Sequence, residues 1–172
     1  MRHGYRHSDP VQPEPPAHVT PQVRRSAAIL VDVPTIRNIA VGLPRKGEHV
    51  LVLEGSDALR GFDFYRAIGG GIEFGESAEA ALRREFREEL DCELDEVKLL
   101  GVIENIFEYE GLPGHEIAHV FAVGSSVLSA VPLDAELHIL DEGSPVHWIA
   151  ISELRDRTRP LFPDGAADYL VR

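Results

Sequence analysis

The sequence holds a single cysteine, Cys92, and the lack of a second one removes several possibilities together. An intrachain disulfide and a cysteine-based zinc cluster are both excluded, and the cytoplasm becomes the expected compartment. No run of 18 apolar residues occurs, so no membrane span is expected. MRHGYRHSDP carries charge but is not followed by an apolar stretch, which argues against a secretory signal. Positive charge is scarce as well: 17 Lys and Arg stand against 29 Asp and Glu, a formal net charge of −12. Stable binding to long nucleic acid rests on Lys and Arg contacts to phosphate, so that partner is not expected. A small nucleotide stays open, because a bound cation inverts the local field.

What is present is an ordinary globular composition, 44% hydrophobic and 27% charged over 172 residues, which suits one domain with a real core. Residues 1–23 are rich in proline, histidine and polar groups and show no apolar period, so they are expected to form a flexible or extended arm. His3, His7 and His18 in it read as parts of a loose tail rather than as metal ligands. The folded domain is expected over 24–172. There SAAILVDV and TIRNIAVGL are rich in β-branched residues, PRKGE is a turn, and HVLVLEG completes a hairpin with the second of them. FDFYRAIGGGIEF reads as a strand, a glycine break and a short strand. VKLLGVIENIFEYE and HEIAHVFAVGS are two more strands joined by GLPG, and VHWIAI is another. ISELRDRTRP, stopped by Pro160, and DGAADYLVR read as short helices. Strands around one long helix, with helical pieces at the end, predict a mixed α/β or α+β sandwich.

The long helix is SAEAALRREFREEL, with Ser77 as N-cap and Glu79 in the first turn, where the helix dipole favours acid. At about 100° per residue and with Glu85 at zero, Leu82, Phe86 and Leu90 fall near 60°, 100° and 140°. That is the expected buried stripe. Glu88, Glu85 and Glu89 gather near 300°, 0° and 40°, and Ala78 and Ala81 share their sector as open space. Exposed helix faces usually alternate charge to gain i,i+4 pairs. Here Glu79–Arg83 and Arg84–Glu88 are offset by repulsion between Glu85 and Glu89 and between Arg83 and Arg87. A cluster of carboxylates suits a hard divalent cation, which prefers oxygen ligands. Between Glu73 and Glu96 ten acids face three arginines, so more than half of the excess negative charge sits in this segment. Gly69, Gly70 and Gly71 just before it allow close backbone approach to a ligand, and a carbonyl there could complete a cation's shell.

Gly70-x5-Glu76-x7-Arg84-Glu85-Phe86-x-Glu88-Glu89-x-Asp91-Cys92 resembles the Nudix box, G-x5-E-x7-R-E-U-x-E-E-x-G-U, in which U is a bulky aliphatic residue. All six strict positions from Gly70 to Glu89 agree at the correct spacing, a match expected by chance in roughly one window in a million. Phe86 stands in at the first U, Asp91 replaces the second glycine and Cys92 takes the last U. Aspartate tolerates the left-handed conformation of such a C-cap less well than glycine, so a small loss of stability is expected there. The resemblance implies an α/β/α sandwich with a mixed sheet and the box as a loop–helix–loop. It also implies a hydrolase that cleaves the diphosphate of a nucleoside diphosphate linked to another moiety X. Magnesium, or manganese in its place, would be the cofactor. Glu85 and Glu89 would be the main ligands, Glu88 a third or water-mediated one, with a carbonyl from Gly69 or Gly70. Arg84 would orient the glutamates and Glu76 would brace the loop. The expected partner is a small nucleotide-derived diphosphate, and a homodimer is compatible with the sequence.

The general base is left open between Glu85 in the box and Glu116, Glu104, Asp141 or Glu142 outside it. Strand alternation puts Glu116, Ala118 and Val120 on one face, and Glu116 also reads as a rim charge. Cys92 reads as a small buried hydrophobe. Phe62, Phe64, Tyr65, Phe107, Tyr109 and Trp148 are candidates for stacking on a base and equally for the core. Two competing readings are a binding or regulatory module without turnover and an isomerase acting on an allylic diphosphate. The first would be favoured by a damaged box, and the second needs a cysteine in the pocket.

Overall fold

The computed structural model describes residues 34–140 and 143–171, so the arm, the SAAILVDV segment, Asp141 and Glu142 lie outside it. β1 (Arg37–Lys46) is the hub. Along most of its length it pairs in parallel with β6 (Leu112–Gly124), from Arg37 opposite Glu116 to Pro44 opposite Val123. On its other side it runs antiparallel to β4 (Ile68–Gly71), with Ala40 opposite Gly70. Its last two residues, Arg45 and Lys46, turn to a different partner, β2 (His49–Asp57). Pro44, with no N–H to donate, falls in the gap between the β4 and β2 pairings. One strand thus belongs to two sheets. β5 (Glu96–Tyr109) edges the first, with a bulge between Leu99 and Gly101. The second adds β3 (Phe62–Arg66), the short β7 (Leu137–His138), β8 (Pro145–Ala150) and the short β9 (Leu161–Phe162) around β2.

A strand shared in this way is covered on both faces, which explains the unbroken apolar run IAVGL. Ile39, Val41 and Leu43 enter one core with Val50, Val52, Ala118, Val120, Leu154 and Leu170. Ala40 enters the other with Leu51, Leu53, Leu82, Phe86, Phe121 and Trp148. The first is capped by 3-10 turns at Ile151–Arg155 and Ala166–Tyr169, where short helices are expected from sequence. The second is covered by α1 (Ala78–Leu90) and bordered by the short α2 (Ser126–Ala130). Helix, sheets and helical turns make the mixed α/β sandwich that the sequence predicts. Among the described residues, no helix is long and apolar enough to cross a membrane.

α1 starts and stops where local chemistry says it should. Ser77 accepts a hydrogen bond from the Ala80 N–H at 3.2 Å. Asp91 adopts the left-handed conformation (φ 48°, ψ 43°), its N–H reaching the Arg87 carbonyl while the Cys92 N–H reaches that of Phe86. The fully buried Phe86 lies against β1 at Gly42, where a Cβ would fall 2.8 Å from its ring. Burying a side chain of this size contributes about 1.5–3 kcal/mol.

Four sequence expectations are corrected. Gly69, Gly70 and Gly71 do not break the chain but form β4, because β1 offers them a full antiparallel ladder. The PRKGE turn shrinks to Gly47–Glu48, and GLPG to the two-residue turn Glu110–Gly111, both residues at positive φ (49° and 77°). Ala81 is not open space but fully buried. The buried sector of α1 therefore runs from about 320° at Ala81 to about 100° at Phe86, with Leu90 only partly covered. Glu85, at zero, lies inside the face that packs on the protein.

Candidate active site

A carboxylate on the packed side of a helix needs partners, and Arg84 supplies them. Its Nε and Nη2 grip both oxygens of Glu76 at 3.1 and 3.0 Å. Nη1 donates to Glu85 at 2.8 Å and to Glu88 at 3.1 Å, and Nη2 also donates to the Gly71 carbonyl at 2.8 Å. One guanidinium thus ties three box carboxylates to the end of β4. The planar fork of arginine can do this and a lysine ammonium cannot. Its bonds to Glu76, with those to Glu85 and Glu88, push the Arg84 pKa further up, against the opposing effect of burial. The Arg84 bond in turn holds the Glu76 carboxyl below its ordinary range. Glu76 also accepts the Glu73 N–H at 3.2 Å, so it closes the loop before the helix. These bonds give the arginines partners that the i,i+4 pattern does not show: Arg84 reaches back eight residues to Glu76, and Arg87 reaches out of the helix to Glu93 at 2.7 Å.

Glu85 is seated against β4. A Cβ at Gly70 would lie 2.6 Å from the Glu85 Cδ and 2.7 Å from each of its oxygens. Only a glycine leaves room for that carboxylate. Its side chain is 15% exposed, against 60% for Glu88. Glu89 is half-buried with Oε2 directed inward, and its backbone carbonyl accepts the Leu140 N–H at 2.9 Å. Hard oxygen donors beside the half-buried end of β4 fit a divalent cation in chemistry. Among the described residues, however, no group of three or more His, Cys, Asp and Glu converges closely enough to hold one, since Arg84 draws Glu85 and Glu88 to itself.

Gly69 and Gly70 line one end of a cleft of about 770 Å³. Its size and mixed lining are those of a small-molecule site. Glu116 lines it too, with its side chain 14% exposed, 3.7 Å from Arg37 and 3.5 Å from the amide of the buried Asn105. The rim-charge reading is thereby replaced by a largely covered carboxylate facing the cleft. Glu116 on β6 is two strands from β4 and stands opposite Arg37, three residues along β1 from the partner of Gly70, about 14 Å away at the backbone, so the structure brings it to the same cleft as the box without direct contact. Glu104 pairs with His115 at 3.0 Å and does not line the cleft. Of the aromatic candidates, Phe62, Phe64, Phe107 and Tyr109 line the cleft, whereas Tyr65 and Trp148 belong to the two cores. Cys92 is buried against Ser125 at 3.0 Å, and burial pushes its thiol pKa up. It is absent from the cleft lining, so the isomerase reading loses its cysteine.

Sequence reasoning missed Arg37, Asp57, Arg60, Arg66 and Asn105 in this lining. For part of it a signal existed: Phe62, Phe64 and Arg66 are spaced by two on one strand and so share a face.

Comparison with known proteins agrees with this geometry. A family model described as the NUDIX domain matches residues 36–169. The MutT NUDIX hydrolase of Burkholderia pseudomallei superposes with a TM-score of 0.57 at 21% identity, covering 79% of this chain and 96% of that one. A MutT protein of Bacillus halodurans gives 0.53 at 19% identity, covering 80% and 84%. A NUDIX hydrolase of Nitrosomonas europaea gives 0.52 at 19% identity, covering 79% and 86%. At these identities the likeness is one of fold.

Proposed function

The chain belongs to the Nudix family of pyrophosphate hydrolases, and from that premise we propose that it is divalent-metal dependent. In this reading its substrate is a nucleoside diphosphate linked to a moiety X, and water attacks phosphorus in the diphosphate linkage. The observation that carries the proposal is the seat of Glu85 against Gly70, at the end of the cleft. A carboxylate is held on the packed side of a helix, by a glycine that admits it and an arginine that fixes it.

Glu85 and Glu89 are the main ligands in this reading, Glu88 a third or water-mediated one, and the Gly70 carbonyl a further oxygen. Magnesium, with manganese as a substitute, would supply polarisation of the phosphoryl oxygens and neutralisation of the charge that develops as the linkage breaks. Arg84 orients Glu85 and Glu88, and Glu76 holds Arg84 and the loop in place. Glu116 accepts the proton of the attacking water from inside the cleft. Phe62 and Phe107 offer faces for stacking the nucleoside base.

The alternative reading, a nucleotide-binding or regulatory module without turnover, draws on one observation. Arg84 already pairs with Glu85 and Glu88 as well as Glu76, so part of their charge is offset without a cation. A panel of nucleoside diphosphate and polyphosphate substrates, with magnesium or manganese, separates the two. Glu89→Gln should lower turnover by at least about 100-fold with the fold intact, since even outer partners of a metal site contribute 10–100-fold. Turnover unaffected by that substitution and by a chelator would end the proposal. Tight binding of one compound with no turnover would favour the module.

A further inference from the structure

At the end of the cleft away from the box, two loops from different sheets are fastened together. Asp57, at the end of β2, is 1% exposed, yet it lines the cleft. Its Oδ1 accepts the Arg60 N–H at 2.9 Å within its own loop, and its Oδ2 accepts the Glu110 N–H at 3.2 Å from the tip of the β5–β6 hairpin. Both oxygens of one buried carboxylate are thus spent on joining the β2–β3 loop to that hairpin. The Arg60 side chain repeats the link, with Nη2 3.0 Å from Glu108. A third link is apolar: Phe64 meets Tyr109 edge-on with ring centroids 6.0 Å apart. Arg60, Glu108, Phe64 and Tyr109 all line the cleft.

A buried carboxylate accepting two backbone N–H groups is a stiff joint, because breaking either bond leaves a buried donor or acceptor unsatisfied. The exposed Arg60–Glu108 pair alone would be a weak one. Together they fix the distance between the two walls at the aromatic end. A pocket whose walls cannot part discriminates by size, and one extra methylene in such a pocket changes affinity by roughly 10–200-fold.

We propose that Asp57, backed by the Arg60–Glu108 pair, is a specificity-determining staple that makes the aromatic end of the cleft a size filter for the planar part of the substrate. This inference rests on the reading above, in which the diphosphate lies at the Gly70 end. It names Asp57 as a positioning residue, acting through the two loops it joins.

The test compares binding of two α,β-methylene nucleoside diphosphates, which resist hydrolysis, one plain and one carrying a bulky aryl group on its base. Titration calorimetry with magnesium gives their Kd ratio for the wild type, for Asp57→Asn and for the double variant Arg60→Ala/Glu108→Ala. Asparagine keeps the shape but turns one acceptor into a donor, so it cannot satisfy both N–H groups. The wild type should favour the plain compound by at least roughly 10-fold. The ratio should fall toward one in Asp57→Asn and partway in the double variant. Hydrogen exchange at the Arg60 and Glu110 amides should quicken in Asp57→Asn. Equal affinities in the wild type, no binding of either compound, or an unchanged ratio despite faster exchange would each overturn the staple. Because the ratio is read from binding, it judges the filter separately from metal-dependent turnover, which the Glu89→Gln experiment judges.

Discussion

Replacing Gly70 by alanine should separate activity from stability. The new Cβ would sit 2.6 Å from the Glu85 Cδ and 2.7 Å from both oxygens, closer than any real contact. The backbone of β4 is held on its ladder to β1, so the flexible carboxylate is the part that moves. Its displacement gives up the 2.8 Å bond to Arg84, between a side chain 15% exposed and one 22% exposed. A hydrogen bond to a charged group contributes about 1.5–3 kcal/mol, and partial exposure reduces that toward 1–2 kcal/mol. For a domain of this size such a loss lowers Tm by about 2–8 °C. Activity should suffer much more, by at least about 100-fold, because a ligand of the cation would be out of place. Differential scanning calorimetry gives the first number, and initial rates titrated against magnesium give the second, with the activation midpoint moved to higher concentration. Wild-type kcat and an unchanged magnesium midpoint in a folded Gly70→Ala protein would refute the seat of Glu85 as the basis of the site. A fall in Tm far beyond this range would show that β4, and not the carboxylate, gives way.

Further outcomes follow from the same geometry. Arg84→Lys keeps the charge but cannot make the five bonds of the fork, so kcat should fall roughly 10–100-fold with KM little changed, as steady-state kinetics would show. Full kcat in that variant would remove Arg84 as the orienting residue. Glu116→Gln should flatten the acidic limb of the pH–rate profile if Glu116 takes the proton of water, and a profile that keeps its limb assigns the base elsewhere. The Arg60 N–H holds the Asp57 carboxyl below its ordinary range, assisted by that of Glu110. A folded pKa below the unfolded one gives stability that is present above the unfolded value, about 3.9, and is lost as pH falls through the folded one. The stability gap between wild type and Asp57→Asn, measured by urea unfolding, should therefore be largest near neutral pH and narrow below about pH 4. A gap that widens in acid would contradict the sign.

Local rules made α1 legible. A serine cap, an acidic first turn and an aspartate able to go left-handed are read within a few residues of one another, and the structure has each in place. The same locality explains the strands, whose apolar runs need no knowledge of their partners, and the box, whose spacing depends only on the pitch of a helix. What the sequence did not disclose is how far α1 is rolled onto the sheets. Helical angles alone put Leu82, Phe86 and Leu90 at the centre of the buried face and the glutamates beside it. Glycines at 42 and 70 let the helix in on the other flank, so Ala81 is buried, Leu90 is left partly exposed and Glu85 becomes an inward carboxylate.

Arg84 shows the same division. Counting i,i+4 neighbours suggests no net gain from the helix charges, but Arg84 also binds Glu76 and a β4 carbonyl, which come near only when the loop folds back. The cleft is the extreme case, since Glu116, Asp57 and Gly70 lie on three strands and meet only through β1 and β2. By itself the sequence determined α1, the long strands and which side chains carry charge, because those follow from neighbours along the chain. Tertiary structure alone decided which of those charges face one another across a cavity, because strand pairing joins residues as far apart as Arg37 and Glu116, and no local pattern encodes that choice of partner.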